Sequence, residues 1–149
     1  MSADGHPGIQ DLMPDEAWEK LEQDPTSVLI DVRTRAEWGF VGRPDVGELG
    51  KTLICVEWAS YPDMSINPHF AETVMEALGD ASPQNLLFIC RSGVRSLRAA
   101  QAVSDALAAR DQSGTCWNVA EGFEGDLDAV GHRGVTGGWK ARGLTWSQT

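Results

Sequence analysis

The sequence has few cysteines and few basic residues, and each shortage excludes a class of protein. Its 149 residues include three cysteines, with no Cys-x-x-Cys pair and no cysteine–histidine spacing typical of zinc. We therefore predict neither a disulfide framework nor a bound metal, and no other cofactor. Twelve lysines and arginines against 22 aspartates and glutamates give a net charge of −10. That charge argues against nucleic acids and anionic membranes as partners.

Long apolar runs are also missing from the sequence. None approaches the roughly 20 residues that span a bilayer. The opening MSADGHPGIQ has neither the basic start nor the apolar stretch of a secretory signal. We therefore expect a cytoplasmic protein. The composition, 42% hydrophobic and 23% charged, is that of an ordinary globular chain. We predict one domain over residues 1–149, with residues 1–8 flexible.

Strand and helix patterns alternate along the chain. Apolar and β-branched runs predict four buried strands, at residues 28–32, 52–56, 86–89 and 115–119. Helices are predicted to begin at Pro14, at the Thr34/Glu37 capping box, at Asn67 and just after Cys90, with a last helical turn at 139–143. This alternation favours an α/β fold with a mostly parallel sheet and helices on both faces. Ligands bind at the carboxyl ends of the strands in such sheets.

The stretch CRSGVRS, residues 90–96, follows a predicted strand and leads directly into a predicted helix. Backbone N–H groups and the positive end of a helix converge at such a turn, and Gly93 allows the backbone angles that it needs. The stretch adds two cationic side chains and two hydroxyl donors: Arg91, Arg95, Ser92 and Ser96. All of these features favour a thiolate. We therefore predict that Cys90 is a nucleophile inside an anion-binding loop.

The other two cysteines, Cys55 and Cys116, fall inside predicted strands without basic neighbours, so we interpret them as structural. Asp31 and Arg33 come at the carboxyl end of the first long strand and leave two interpretations open. They form an ion pair that braces the edge of the sheet, or Arg33 contributes to anion binding.

Two further groups of residues stand out in the sequence. Asp126, Asp128 and His132 could suggest a metal site, but a solvated loop is the favoured interpretation of this segment. Trp58 and Trp139 are predicted to line the mouth of the pocket.

Three stretches of the sequence resemble one known family. CRSGVRS resembles the active-site loop of the rhodanese (thiosulfate sulfurtransferase) family in its single-domain form. LIDVR at 29–33, followed by Glu37 and Trp38, resembles the amino-terminal signature of that family, and GWKARGL at 138–144 resembles the carboxyl-terminal one. Together the matches span residues 28–146.

The resemblance implies a three-layer α/β/α fold with a five-stranded, mostly parallel sheet. It also implies a cysteine that takes sulfane sulfur from a donor, holds it as a persulfide and passes it to a thiophilic acceptor. Cys90 matches the nucleophile of the family. The positions that match its persulfide-binding loop are Arg91, Ser92, Gly93, Val94 and Arg95. The implied partners are a small-molecule sulfur donor and acceptor, or a protein thiol as acceptor.

The chain departs from the family pattern in three places. Residues 39–44 read GFVGRP where a histidine-isoleucine-proline-glycine stretch is usual, and Phe123 stands where a second glycine is common. Residues 124–138 form an extra loop before Trp139. Because such loops border the pocket, these departures bear on the identity of donor and acceptor.

Two other functions remain open from the sequence. One is a cysteine phosphatase or arsenate reductase, although those enzymes use a Cys-x5-Arg loop to hold an oxyanion. Here Arg95 comes one residue sooner, and Ser96 occupies the sixth position after the cysteine. The other is a non-catalytic sulfur carrier or regulatory module of the rhodanese type, for which the same cysteine would serve.

Overall fold

The computed structural model describes residues 8–148. Apart from Gly8, the segment predicted to be flexible lies outside the described residues. The helices are α1 (Pro14–Gln23), α2 (Arg35–Phe40), α3 (Phe70–Leu78) and α4 (Val94–Ala109). The strands are β1 (Gln10–Leu12), β2 (Val28–Asp31), β3 (Arg43–Pro44), β4 (Ile54–Cys55), β5 (Ala59–Ser60), β6 (Ser65–Ile66), β7 (Asn85–Ile89), β8 (Thr115–Val119) and β9 (Trp146–Ser147).

Five of the strands form a parallel sheet in the order β1-β8-β7-β2-β4. The predicted fold class, a three-layer α/β/α arrangement around a five-stranded parallel sheet, is confirmed. β7 occupies the centre of the sheet. Its carboxyl end, where the chain continues into Cys90, is therefore flanked by neighbouring strands on both sides.

The two faces of the sheet are covered by different elements. Successive side chains of a strand point to opposite faces, so Leu86, Phe88 and Cys90 share one face while Leu87 and Ile89 share the other. The first set lies in a core with residues of α3 and α4, and the second packs with residues of α1 and with Phe123 and Trp139. Cys90 is thereby directed to the side of the sheet on which α4 begins.

Local structure differs from the sequence prediction in a few places. Asn67 does not cap α3: its side chain accepts the His69 amide at 3.0 Å, and the helix begins at Phe70. The predicted helical turn at 139–143 is a series of turns. β1 and the antiparallel pairs β3–β9 and β5–β6 were not predicted. No helix within residues 8–148 has the length and apolar character needed to cross a membrane.

Candidate active site

Cys90 lies beneath the first turn of α4, and its residue is only 1% exposed. Two backbone N–H groups donate to its Sγ atom, from Gly93 and from Ser96, each at 3.2 Å. The Ser96 Oγ atom lies 3.1 Å from the same sulfur. Amides of a first helical turn have no partner within the helix, and here one of them is directed at the cysteine. The arrangement favours negative charge on sulfur.

We call residues 90–96 the cysteine loop. A second loop, which contains residues 122–125, holds the start of the cysteine loop in place. The amide of Phe123 donates to the Cys90 carbonyl at 2.8 Å, and the amides of Glu124 and Gly125 donate to the Arg91 carbonyl at 3.0 and 3.2 Å. Gly122 sits against these carbonyls with φ at 64°. A Cβ atom there would lie 2.5 Å from the Cys90 oxygen, so a larger residue cannot fit without moving the backbone.

The remaining residues of the cysteine loop differ in exposure. Gly93 is buried and caps α4 with φ at 109°, the conformation for which a glycine was expected. Val94 is 64% exposed, and the side chain of Arg91 is also exposed, whereas Ser92 is half-buried. The buried part of the cysteine loop therefore consists of Cys90, Gly93 and Ser96.

Arg95 does not face an open anion site but forms a bidentate ion pair with Glu37. Its Nη1 and Nη2 atoms donate to the two carboxylate oxygens at 2.8 and 2.9 Å. The side chains are 18% and 10% exposed. Burial by itself raises the pKa of Glu37, but hydrogen bonds and charge from Arg95 outweigh it, so the pKa lies below its ordinary value. Glu37 also completes the predicted capping box with Thr34, which is confirmed.

Replacement of Glu37 by glutamine should destabilise the fold by about 2–4 kcal/mol at neutral pH, because it leaves a half-buried arginine without its counter-charge. The lowered pKa of Glu37 means that the pair stabilises the protein above the unfolded-state value of about 4.5. Its contribution is lost as the pH falls through the folded-state value. Urea unfolding of the two proteins should differ at neutral pH, and the difference should shrink as the pH falls below 4.5 and through the folded-state pKa of Glu37.

Glu16 offers a matched control for this prediction. It occupies the same position in α1, where its carboxylate accepts the Met13 amide at 2.9 Å, and it is exposed. Glu16→Gln should therefore lose only about 1 kcal/mol. A Glu37→Gln deficit that is equally small, or one that is independent of pH, would show that the ion pair contributes no more than a helix cap.

The Asp31–Arg33 ion pair, the first of the two interpretations of these residues, is present. Arg33 Nη2 lies 2.7 Å from Asp31 Oδ2, and both side chains are fully buried. The same nitrogen donates to the Gly42 carbonyl at 2.7 Å, and the guanidinium lies 4.4 Å from the ring centre of Phe123. The pair thus joins the end of β2 to the loops on the α1 side of the sheet.

The other two cysteines lie in surroundings that suppress ionisation. Burial raises the pKa of Cys55 to about 11, with a further contribution from the charge of Asp31. Burial alone raises the pKa of Cys116 to about 12. Both thiols therefore stay protonated at neutral pH, as expected of structural residues.

Trp139 and the loop at residues 124–138 were also singled out in the sequence. Trp139 does not line a pocket mouth: it is fully buried and packs edge-to-face on Trp18, with ring centres 5.7 Å apart. In the extra loop, Asp128 accepts the amides of Val130 and His132 through its side chain. Within residues 8–148 no three histidine, cysteine, aspartate or glutamate side chains are grouped as metal ligands would be.

Two residues of the site were not predicted from the sequence. Asn118 accepts the Ser96 hydroxyl at 2.6 Å, and Gly122 makes the close approach described above. A polar residue inside the otherwise apolar run of β8 was a usable signal, because buried polar groups require partners. A signal for Gly122 was its place directly before Phe123, where the family pattern has a second glycine.

Solved structures of other proteins share this fold. The chain is 44% identical to Rv0390 of M. tuberculosis, with a TM-score of 0.78, and the match covers 95% of this chain and 98% of that one. A polysulfide-sulfur transferase homodimer from Wolinella succinogenes is 19% identical, with a TM-score of 0.59 and coverage of 95% and 80%. A rhodanese-like domain protein from Staphylococcus aureus is 18% identical, with a TM-score of 0.50 and coverage of 95% and 99%.

The fold is not confined to proteins described as sulfur transferases or as rhodanese-like. A possible tyrosine phosphatase from Rhodopseudomonas palustris is 15% identical over 93% of this chain and 85% of that one, with a TM-score of 0.54. No family model matches the chain. The fold is thus rhodanese-like, and the choice between sulfur and phosphate chemistry depends on the site.

Proposed function

Since the chain belongs to the same family as Rv0390 and has a rhodanese-like fold, we propose that it is a sulfurtransferase. In this proposal Cys90 takes sulfane sulfur from a donor such as thiosulfate and holds it as a persulfide. The sulfur then passes to a thiophilic acceptor such as cyanide, a small thiol or a protein thiol. No cofactor and no metal take part.

One observation carries the proposal. Two amide donors converge on the buried Cys90 sulfur at the end of the central strand. Fixed donors of this kind stabilise an anion and need no rearrangement when the charge develops. They suit a thiolate, and they remain in place for the anionic outer sulfur of a persulfide.

The chemistry balances without an oxidant or a reductant. The Cys90 thiolate attacks the outer sulfur of thiosulfate, a new sulfur–sulfur bond forms, and sulfite leaves with the electron pair of the bond that breaks. Cyanide then attacks the outer sulfur of the persulfide, thiocyanate departs, and the thiolate is restored. Charge is conserved in both steps, and no proton needs to move.

The burial of Cys90 favours a slender donor. Because the residue is only 1% exposed, little space beside the sulfur is open to a bulky reactant. Thiosulfate and a polysulfide chain each present a single terminal sulfur atom, which can approach the cysteine sulfur in line. A polysulfide is a second reasonable donor, given the activity named for the Wolinella succinogenes neighbour.

The same geometry disfavours a phosphatase. A phosphoryl group presents three equatorial oxygens and needs an arginine that is free to hold two of them. Both terminal nitrogens of Arg95 are already bound to the carboxylate of Glu37. The loop is also one residue shorter than Cys-x5-Arg.

Sulfur uptake is the direct test. After incubation with thiosulfate or polysulfide, the intact mass should increase by one sulfur atom, and cyanide should remove it with release of thiocyanate. Repeated turnover would identify an enzyme, and a single loading without turnover would identify a carrier. With p-nitrophenyl phosphate we expect no phosphate release above that of Cys90→Ser. Phosphate release that requires Cys90, without sulfur uptake, would overturn the proposal in favour of a phosphatase.

A further inference from the structure

A chain of hydrogen bonds leads from Cys90 to the protein surface. Cys90 Sγ lies 3.1 Å from Ser96 Oγ, and Ser96 Oγ lies 2.6 Å from Asn118 Oδ1. The Nδ2 atom of Asn118 donates to Asp11 Oδ1 at 3.0 Å. Ser96 and Asn118 are buried, whereas Asp11 is exposed in a groove beside the start of α4. Four side chains from β1, β8, α4 and the end of β7 are therefore connected.

The direction of each bond follows from counting protons. The Asp11 carboxylate can only accept, so the amide nitrogen of Asn118 faces it and the amide oxygen faces Ser96. That oxygen can only accept, so the hydroxyl proton of Ser96 is directed at Asn118. A hydroxyl has one proton to donate. In this arrangement Ser96 therefore accepts a hydrogen bond from the Cys90 thiol.

Loss of the thiol proton reverses the requirement at Ser96. The Cys90 sulfur and the Asn118 oxygen then both need the single hydroxyl proton, and burial prevents bulk water from supplying another. We infer that Asn118, held by Asp11, is a positioning residue that sets how readily Cys90 ionises. It draws the Ser96 proton away from the thiol, and the hydroxyl turns to the sulfur only when the sulfur is an anion.

The charged groups nearest to Cys90 along the loop and the neighbouring elements are common to all the variants below. Arg91 belongs to the same loop, and Arg95 of α4 is paired with Glu37 of α2. Asp31 lies on the neighbouring strand and is paired with Arg33. These pairs involve neither Asp11 nor Asn118, so changes at those two residues leave the pairs intact.

The test follows the ultraviolet absorbance of the Cys90 thiolate as a function of pH. For each protein, the absorbance of its Cys90→Ser counterpart is subtracted. Asn118→Leu removes the competing acceptor and should lower the midpoint of ionisation by about one pH unit, a tenfold change in thiolate at a given pH. Asn118→Asp keeps an acceptor for Ser96 and, even if it shares a proton with Asp11, brings carboxylate charge nearer to the sulfur, so its midpoint should rise. A general loss of packing would not shift two substitutions at one position in opposite directions.

Two further variants keep the test decisive if Asn118→Leu folds poorly. Asp11→Ala, at an exposed position, frees the Asn118 amide to turn its nitrogen toward Ser96, and should also lower the midpoint. On a Ser96→Ala background, the shift caused by Asp11→Ala should shrink to the smaller part that comes from loss of the Asp11 charge. Three results would each overturn the inference: shifts in the same direction for both Asn118 variants, an unchanged midpoint in Asp11→Ala, or an Asp11→Ala shift of undiminished size on the Ser96→Ala background.

The inference deepens the proposed function, since it concerns the same cysteine, but the measurement needs no sulfur donor. A protein whose thiolate responds as expected and yet takes no sulfur from thiosulfate would refute sulfur transfer alone. A protein that transfers sulfur normally but shows no response in the Asn118 and Asp11 variants would refute the hydrogen-bond chain alone.

Discussion

Replacement of Cys90 by serine should abolish sulfur uptake from thiosulfate and lower turnover with cyanide by at least about a thousandfold, because no other group in the site is a comparable nucleophile. The amides of Gly93 and Ser96 would remain in place, and a serine hydroxyl between them is not ionised at neutral pH. Intact mass after incubation with thiosulfate measures the first step, and thiocyanate release measures the cycle.

Cys55→Ala and Cys116→Ala are the matched controls, and each should keep most of the activity. Burial raises the pKa of these thiols to about 11 and about 12. At neutral pH at most on the order of one molecule in ten thousand carries either thiolate. Cys116→Ala should lose about 1–2 kcal/mol of stability from the core, so the comparison belongs at a temperature where all variants are folded. Similar losses of activity in all three variants would rule out Cys90 as the specific nucleophile.

Gly122→Ala should reduce sulfur transfer by about a hundredfold although it lies outside the cysteine loop. A Cβ atom at this position would lie 2.5 Å from the Cys90 oxygen and 2.6 Å from the Arg91 carbonyl carbon and oxygen. Because those neighbours are backbone atoms, the whole start of the loop must shift, and the two amide donors shift relative to the sulfur. Activity per folded molecule, with the folded fraction taken from circular dichroism, tests this expectation.

Gly131→Ala separates the clash from backbone strain. Gly131 has φ at 81°, close to the 64° of Gly122, but a Cβ atom there would meet nothing within 4 Å. Both substitutions carry the strain of a left-handed residue, about 1–2 kcal/mol. Only Gly122→Ala should lose activity. Equal effects on activity would mean that strain, and not the contact with the cysteine loop, is responsible.

The central part of the fold was readable from the sequence because strands buried on both faces form continuous apolar runs. β7 and β8 match their predicted runs closely for this reason, and the Thr34/Glu37 pair fixed the start of α2. Four of the strands have only two residues each, too few to show the alternation of apolar and polar residues that predicts a strand: β3, β5, β6 and β9. Their pairings depend on contacts between distant segments.

The site was predictable in part for a similar reason. The features that single out Cys90 are local in sequence: a strand end, a glycine and a helix start. The partner of Arg95 is not local, since Glu37 lies 58 residues away and its spacing from Thr34 indicated only a helix cap. Gly122 and Asn118 likewise acquire their roles only when the segment after α4 returns to β7.

The contacts of the cysteine loop have a consequence for biosynthesis. Cys90 leaves the ribosome before α4 and β8, and long before the amides of Phe123, Glu124 and Gly125 that hold the carbonyls of Cys90 and Arg91. A nascent chain therefore carries the thiol for much of its synthesis without the segment that organises the loop around it. We therefore expect the proposed sulfur loading to require residues 123–125, and products that terminate before residue 121 to lack these contacts at Cys90.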